Sequence, residues 1–143
     1  MKEPLQLEKQ LCFAVYETAS EFNKLYTSVL QPFGLTYPQY LVLLALWEQD
    51  GLTSKELGEK VNLGTGTLTP MITRMEANGW LQKMRAKEDE RKVYIFLQEK
   101  AENEKAAIVE KVSEKIRSCQ IELEEYQILM ANLKSLRGKL RKR

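Results

Sequence analysis

Apolar residues recur at helical spacing through most of the chain. Leu7, Leu11, Val15, Phe22, Leu25 and Val29 fall three or four residues apart, or at multiples of those steps, which predicts a first helix from about Leu5 to Leu30. The segment Gln31-Pro32-Phe33-Gly34 breaks it. A second helix is expected from Tyr37 or Pro38, since proline is tolerated in a first turn. It carries Tyr40, Leu41, Leu43, Leu44 and Leu46 and is apolar nearly all round, so it should be buried. Thr53 followed by Glu56 reads as a capping box opening a third helix, with Leu57 and Val61 facing inward. Asn62-Leu63-Gly64 makes a turn. A fourth helix opens at Gly64 or Thr65, with Leu68, Ile72 and Met75 inside, and ends at Asn78-Gly79, where glycine suits a left-handed cap.

The period then changes. Trp80 to Met84 and Val93 to Leu97 read as two short strands, the second rich in β-branched and aromatic residues. The loop between them is charged and lacks glycine. From about residue 98 to 140 the helical period returns. Ile108, Val109, Val112, Ile116, Cys119 and Leu123 form one inward stripe, and Leu129, Leu133, Leu136 and Leu140 form another after a break near Ser118 to Glu122.

Composition narrows the possible functions. The 143 residues suit one domain, and no apolar run approaches the roughly 18 residues that span a bilayer. The start, MKEPLQLEKQ, has no signal-peptide core, so the expected location is the cytoplasm, with no membrane partner. The chain has no histidine, which removes the commonest general base and the commonest zinc ligand. Two cysteines far apart do not make a metal site, so no metal, no cofactor and no enzymatic activity are expected. The net charge is only +2, from 22 basic and 20 acidic residues. The basic residues are clustered, however. Lys83, Arg85, Lys87, Arg91 and Lys92 crowd one short stretch, and Arg137, Lys139, Arg141, Lys142 and Arg143 crowd the C-terminus.

Two short helices, a turn and a charged hairpin follow one another in the order of a winged helix-turn-helix. In that arrangement the second helix enters the major groove and the hairpin reaches an adjacent groove or backbone. The outward face of the fourth helix offers Thr65, Thr67, Thr69, Thr73 and Arg74. Threonine hydroxyls bond base edges or phosphates, and the methyl can touch a thymine methyl. The competing reading of the same pattern is a helical bundle with solvated threonines.

The segments LEKQLCFAVYETASEFNKLY, LTYPQYLVLLALWE, LGTGTLTPMITRMEANGWL and KEDERKVYIFL resemble the MarR family of transcriptional regulators. They are most similar to its organic-hydroperoxide-sensing, OhrR-like branch and to related staphylococcal-type thiol regulators. The resemblance runs from about residue 6 to 98 and continues more weakly to the end. It implies a mainly α fold with a small β-hairpin. A winged helix-turn-helix lobe would span about 37–98, and helices at about 5–30 and 99–140 would form a dimerisation region, all within a single domain of residues 1–143. It also implies a homodimer on a pseudo-palindromic double-stranded operator, acting as a repressor. By position, Thr67, Thr69 and Pro70 match the part of the recognition helix that meets DNA. Arg91 matches the wing-tip arginine and Asp89 the acid that orients it, with Arg85, Lys87 and Lys92 beside them. Two departures stand out. Gly64 replaces the Asp of many relatives, which removes a side-chain cap, and Ala86 replaces a frequent Ser.

Cys12, in Leu11-Cys12-Phe13, reads either as a small buried side chain or as a sensing thiol, which needs thiolate character and access to oxidant. The resemblance places Tyr26 and Tyr37 where phenol hydroxyls bond the reactive sulfur, with Tyr16 nearby. Cys12 and Tyr26 are 14 positions apart on one predicted helix, roughly 21 Å at 1.5 Å per residue, so if they meet Tyr26 must come from the partner protomer. Some OhrR-like proteins carry a second cysteine in the late helices, which implies an intersubunit disulfide between Cys12 and Cys119 after peroxide oxidation; without it, a small thiol could cap Cys12. Three other readings stand beside this one. They are a repressor gated by a small aromatic ligand with incidental cysteines, a thiol peroxidase, which the absence of histidine and CxxC disfavours, and a helical protein-interaction module.

Overall fold

The computed structural model describes residues 5–142, so Arg143 of the C-terminal basic cluster lies outside the described residues. The first helix, α1, spans Leu11–Leu30 and not Leu5–Leu30 as its periodicity suggests. Leu7–Lys9 forms one turn of 3-10 helix, and Gln10 is extended (φ −87°, ψ 128°), which breaks the ladder before α1 begins. A stripe spaced by four residues spans such a break without sensing it. Cys12 therefore lies in the first turn of α1, one residue inside its start.

A second one-turn 3-10 helix at Gln31–Phe33 ends on Gly34 in the left-handed region (φ 73°), and α2 follows at Tyr37–Glu48. A capping box fixes its start: the Thr36 N–H donates to Gln39 Oε1 at 3.0 Å and the Gln39 N–H to Thr36 Oγ1 at 3.3 Å. Tyr40, Val42, Leu43, Ala45 and Leu46 are buried, whereas Leu44 faces outward. The Thr53/Glu56 capping box forms as expected and opens α3, Ser54–Val61. Asn62, left-handed at φ 58°, turns the chain into α4, Thr65–Ala77. Gly79 at φ 84° then reverses it toward the sheet.

The hairpin is one strand wider than the sequence suggests. β2 (Leu81–Arg85) and β3 (Val93–Leu97) pair antiparallel from Leu81↔Leu97 to Arg85↔Val93. A two-residue strand, β1 (Leu52–Thr53), pairs with the other edge of β3. Asp50 Oδ1 pins this strand by accepting the N–H groups of Gly51 at 3.0 Å and Leu97 at 2.9 Å. Gly51 is left-handed (φ 76°), and a Cβ there would stand 2.8 Å from the Phe96 ring. Gly51→Ala is therefore expected to lower stability by about 2 kcal/mol, through overpacking and the left-handed backbone together, read as a drop in the thermal unfolding midpoint.

One core joins these elements. Leu30, Leu43, Leu46, Leu57, Met75, Trp80, Leu81, Ile95 and Ile108 are fully buried together. Ile108 comes from α5, Glu99–Ser118, whose Ala101 and Val112 are also inside. The break after Ser118 falls where expected, with Gln120 left-handed at φ 56°, and α6 runs Leu123–Arg141. The predicted inward stripes are only half right. Val109, Cys119 and Leu123 are exposed, and no described residue of α6 is buried. Leu11, Val15 and Phe22 of α1 are exposed as well. No single helix among the described residues is long and apolar enough to cross a membrane.

Candidate nucleic-acid interface and thiol site

The inward stripe of α4 (Leu68, Met71, Ile72 and Met75) is buried, which leaves Thr65, Thr67, Thr69, Pro70, Thr73 and Arg74 exposed on its other face. The helix begins at Gly64, which has no side chain to cap it. The Gly64 carbonyl accepts from Thr67 at 3.1 Å and Leu68 at 2.9 Å, while the N–H groups of Thr65 and Gly66 have no carbonyl inside the helix to reach. That end carries the positive end of the helix dipole, which suits a phosphate. Pro70, inside the helix, has no N–H to return to the Gly66 carbonyl.

The loop between β2 and β3 is held by its own backbone. Ala86 N–H donates to Lys92 O, Lys92 N–H to Asp89 O, and Arg85 Nη1 to Glu90 O at 2.8 Å. Arg85 thus braces the wing while itself exposed, as are Lys87 and Lys92. Asp89 Oδ1 accepts both the backbone N–H of Arg91 at 3.0 Å and its Nε at 3.2 Å, which orients an otherwise 93%-exposed side chain. These two bonds hold the Asp89 carboxyl below its usual range. The clamp is therefore complete at neutral pH and is lost only as the pH falls through that lowered value. Asp89→Asn should weaken operator binding by up to roughly fivefold at neutral pH, measured by gel shift, with helicity unchanged. Arg91 also lines a cleft of about 560 Å³ together with Gly64, Thr65 and Thr69, so the wing arginine and the opening of α4 share one side of the molecule.

Glu76, which the sequence did not single out, and Lys83, which it marked only as one of a basic cluster, join this surface. Glu76 accepts the backbone N–H of Lys83 at 2.8 Å and lies 3.8 Å from its Nζ. The same Nζ donates to Thr73 Oγ1 at 3.2 Å, and Thr73 Oγ1 donates to the Thr69 carbonyl at 3.1 Å. The reversal at Asn78-Gly79 brings residues seven apart into contact, and that turn was the available signal.

The thiol site is divided. Tyr26 stacks on Tyr37 at 4.6 Å and on Tyr40 at 5.7 Å between ring centres. Burial, then the neighbouring Tyr40, Tyr37, Tyr126 and Cys119, push the Tyr26 phenol up to about 12, so it stays a neutral donor. The last turns of α5 border one cleft with Ser28, Val29 and Phe33, so Cys119, which follows Ser118, lies at the Tyr26 end of α1. It is exposed at the C-terminal cap of α5, with Sγ 3.6 Å from the Lys115 carbonyl, and not on the inward face that its spacing suggests. Cys12 is exposed near the opposite end of α1 from Tyr26. Tyr16, one turn from Cys12, is exposed and stacks on Phe13 at 6.1 Å. One chain therefore puts Cys119 at the Tyr26–Tyr37 end of α1 and Cys12 at the other. Among the described residues no cluster suits a metal ion.

A threonine-faced helix and an oriented arginine on a hairpin, carried on one side of a three-stranded sheet and helical core, make this a winged helix DNA-binding transcriptional regulator. Comparison with known proteins specifies the kind. The family model for the transcriptional regulators SarA/Rot matches residues 24–108, and the chain belongs to this MarR-like family. It is 43% identical over 141 residues to the HTH-type transcriptional regulator TtmR of Methylorubrum extorquens, covering 99% of this chain and 72% of that one. It is 50% identical over 95 residues to the organic hydroperoxide resistance transcriptional regulator of Bacillus subtilis, covering 66% of this chain and 65% of the relative. Among solved structures, reduced AbfR of Staphylococcus epidermidis bound to DNA superposes with a TM-score of 0.85 at 36% identity, over 95% of this chain and 93% of that one. AbfR has also been solved overoxidized on DNA and with a disulfide formed, at TM-scores of 0.78 and 0.67.

Proposed function

We propose that this chain is a homodimeric repressor that holds a pseudo-palindromic operator when reduced and releases it when an organic hydroperoxide oxidises Cys12. The observation that carries the reading is the split thiol site. Cys119 lies at the same end of α1 as the Tyr26–Tyr37 pair, and Cys12 lies about 21 Å along α1 from Tyr26. A two-fold pair of chains that overlap their α1 helices in opposite directions brings each Cys12 to Tyr26, Tyr37 and Cys119 of the partner subunit. The exposed apolar side chains Leu11, Val15 and Tyr16 on α1, with Leu123, Tyr126, Leu129 and Leu133 on α6, supply the surface such a pair would bury. The hydroperoxide named for the Bacillus relative, and the reduced and disulfide states of AbfR, support the choice of stimulus.

In this reading the Cys12 thiolate attacks the peroxide oxygen. The O–O bond breaks, the alkoxide takes a proton to leave as the alcohol, and the sulfur becomes a sulfenic acid. The thiol of Cys119 then displaces water from that sulfenic acid and closes the disulfide. Tyr26 and Tyr37 donate phenol hydrogen bonds to the sulfur, and Tyr16 borders it. Thr65, Thr67, Thr69, Pro70 and Arg74 face the major groove, while Arg91, Lys87 and Lys92 meet the backbone or minor groove at the wing. A gel shift on DNA from upstream of the protein's own gene tests the whole. One equivalent of cumene hydroperoxide should release the protein, and dithiothreitol should restore binding. Binding indifferent to hydroperoxide would discard the sensing role. On a non-reducing gel, Cys119→Ser should lose the oxidant-induced crosslinked dimer, and a surviving dimer band would discard Cys119 as the resolving thiol.

A further inference from the structure

The exposed face of α4 presents threonines, each with a hydroxyl and a methyl to offer, and at Thr73 the structure separates the two. Its hydroxyl is used twice within the protein. It donates to the Thr69 carbonyl at 3.1 Å and accepts from Lys83 Nζ at 3.2 Å. Lys83 is in turn held by Glu76, through its backbone N–H at 2.8 Å and its ammonium at 3.8 Å. The Lys83 and Glu76 side chains are only about a third exposed, at 34% and 36%, whereas the Arg91 side chain on the wing is 93% exposed. This cation is tied to the recognition helix, with about a third of its side chain left to solvent.

We propose that Glu76 and Lys83 are specificity-determining positioning residues: they occupy the Thr73 hydroxyl, so that Thr73 reads the operator through its methyl group, against a thymine methyl. The proposal rests on α4 being the major-groove helix and goes beyond it by fixing what one of its residues recognises. A hydroxyl left open would accept from adenine N6 or cytosine N4 and donate to guanine or thymine oxygens alike, so it would discriminate poorly. A methyl with its hydroxyl tied back makes an apolar contact that only the thymine C5-methyl rewards. Lys83 also differs from the wing cations. Asp89 holds Arg91 outward at 93% exposure, whereas Glu76 and Thr73 hold Lys83 against the helix at 34%, so Lys83 adds little to phosphate binding.

Substitutions at Thr73 separate the two groups. Thr73→Val keeps the branched apolar shape, removes only the hydroxyl and has similar helix propensity. It should bind the operator within about twofold of wild type. Thr73→Ser keeps the hydroxyl and loses the methyl, and should weaken binding roughly fourfold per half-site, the worth of one buried methyl. Replacing thymines one at a time by deoxyuridine should reveal one position per half-site where wild type loses a similar factor and Thr73→Ser loses none further. Lys83→Met leaves the hydroxyl donating to the Thr69 carbonyl but opens its acceptor side, and should relax base preference at that same position toward bases that donate there, leaving the salt dependence of binding unchanged. A strong loss in Thr73→Val with Thr73→Ser intact would overturn the proposal, as would no loss in either. A salt slope shallower by about one in Lys83→Met would make Lys83 a phosphate contact and overturn its role as a positioning residue. Wild-type protein that binds no operator DNA would sink the groove assignment along with it, whereas wild-type binding lost in Thr73→Val sinks this inference alone.

Discussion

Cys12→Ser should remain on operator DNA at every hydroperoxide concentration that fully releases the unsubstituted protein. Serine replaces one exposed atom near the start of α1, away from the core, so the reduced proteins should bind DNA within about twofold of each other. The two diverge only when oxidant is added, because a hydroxyl cannot form the sulfenic acid that opens the reaction. Gel shift across a hydroperoxide titration, with intact-protein mass to follow the sulfur, measures both halves of the statement. Release of Cys12→Ser at the wild-type concentration would move sensing elsewhere. Mass change at Cys119 alone would make that sulfur the sensor.

The second large effect is expected at α6. No described residue of this helix is buried, and Leu129 and Leu133 are 46% and 42% exposed. Replacing both with Asp leaves the core of the chain untouched but places charge on the surface proposed to join two chains. The variant should sediment as a monomer with near-native helicity. Its affinity for a full two-half-site operator should fall by about 10²–10⁴, because the second recognition helix no longer binds as a tethered neighbour. A dimeric sedimentation coefficient would place the subunit interface elsewhere.

The sequence carried most of the DNA-binding lobe. The Thr53/Glu56 capping box, the turn at Gly64 and the left-handed Gly79 are local signals, and each formed as its residues require. The elements that were hard to read depend on contacts far along the chain. β1 has two residues, too short for any period, and exists because the edge of β3 pairs with it while Asp50 ties the preceding Gly51 to Leu97. The start of α1 was misplaced because Leu7 and Leu11 keep helical spacing across an extended Gln10. Cys119 continues the spacing of Ile108 and Val112, but α5 ends on it, and a residue at a helix cap no longer shares the direction of the stripe behind it. Periodicity also cannot say whether an apolar face meets the same chain or another, which is why the stripes on α1 and α6 look like core in the sequence and lie at the surface here. Lys83 was legible only as one of a basic cluster and Glu76 not at all, for a simpler reason. Their pairing depends on how sharply Asn78-Gly79 folds the strand back over the helix.

The bare glycine that opens α4 has one more consequence. A helix without a side-chain cap frays first at that end, so the turn carrying Thr65 and Thr67 is the part of the recognition helix least able to hold its own shape. A DNA phosphate seated on those amides would supply the bonds that the missing side chain does not. Grip on the operator and completion of the helix then become one event, and every loss of grip costs the protein a little of its own fold.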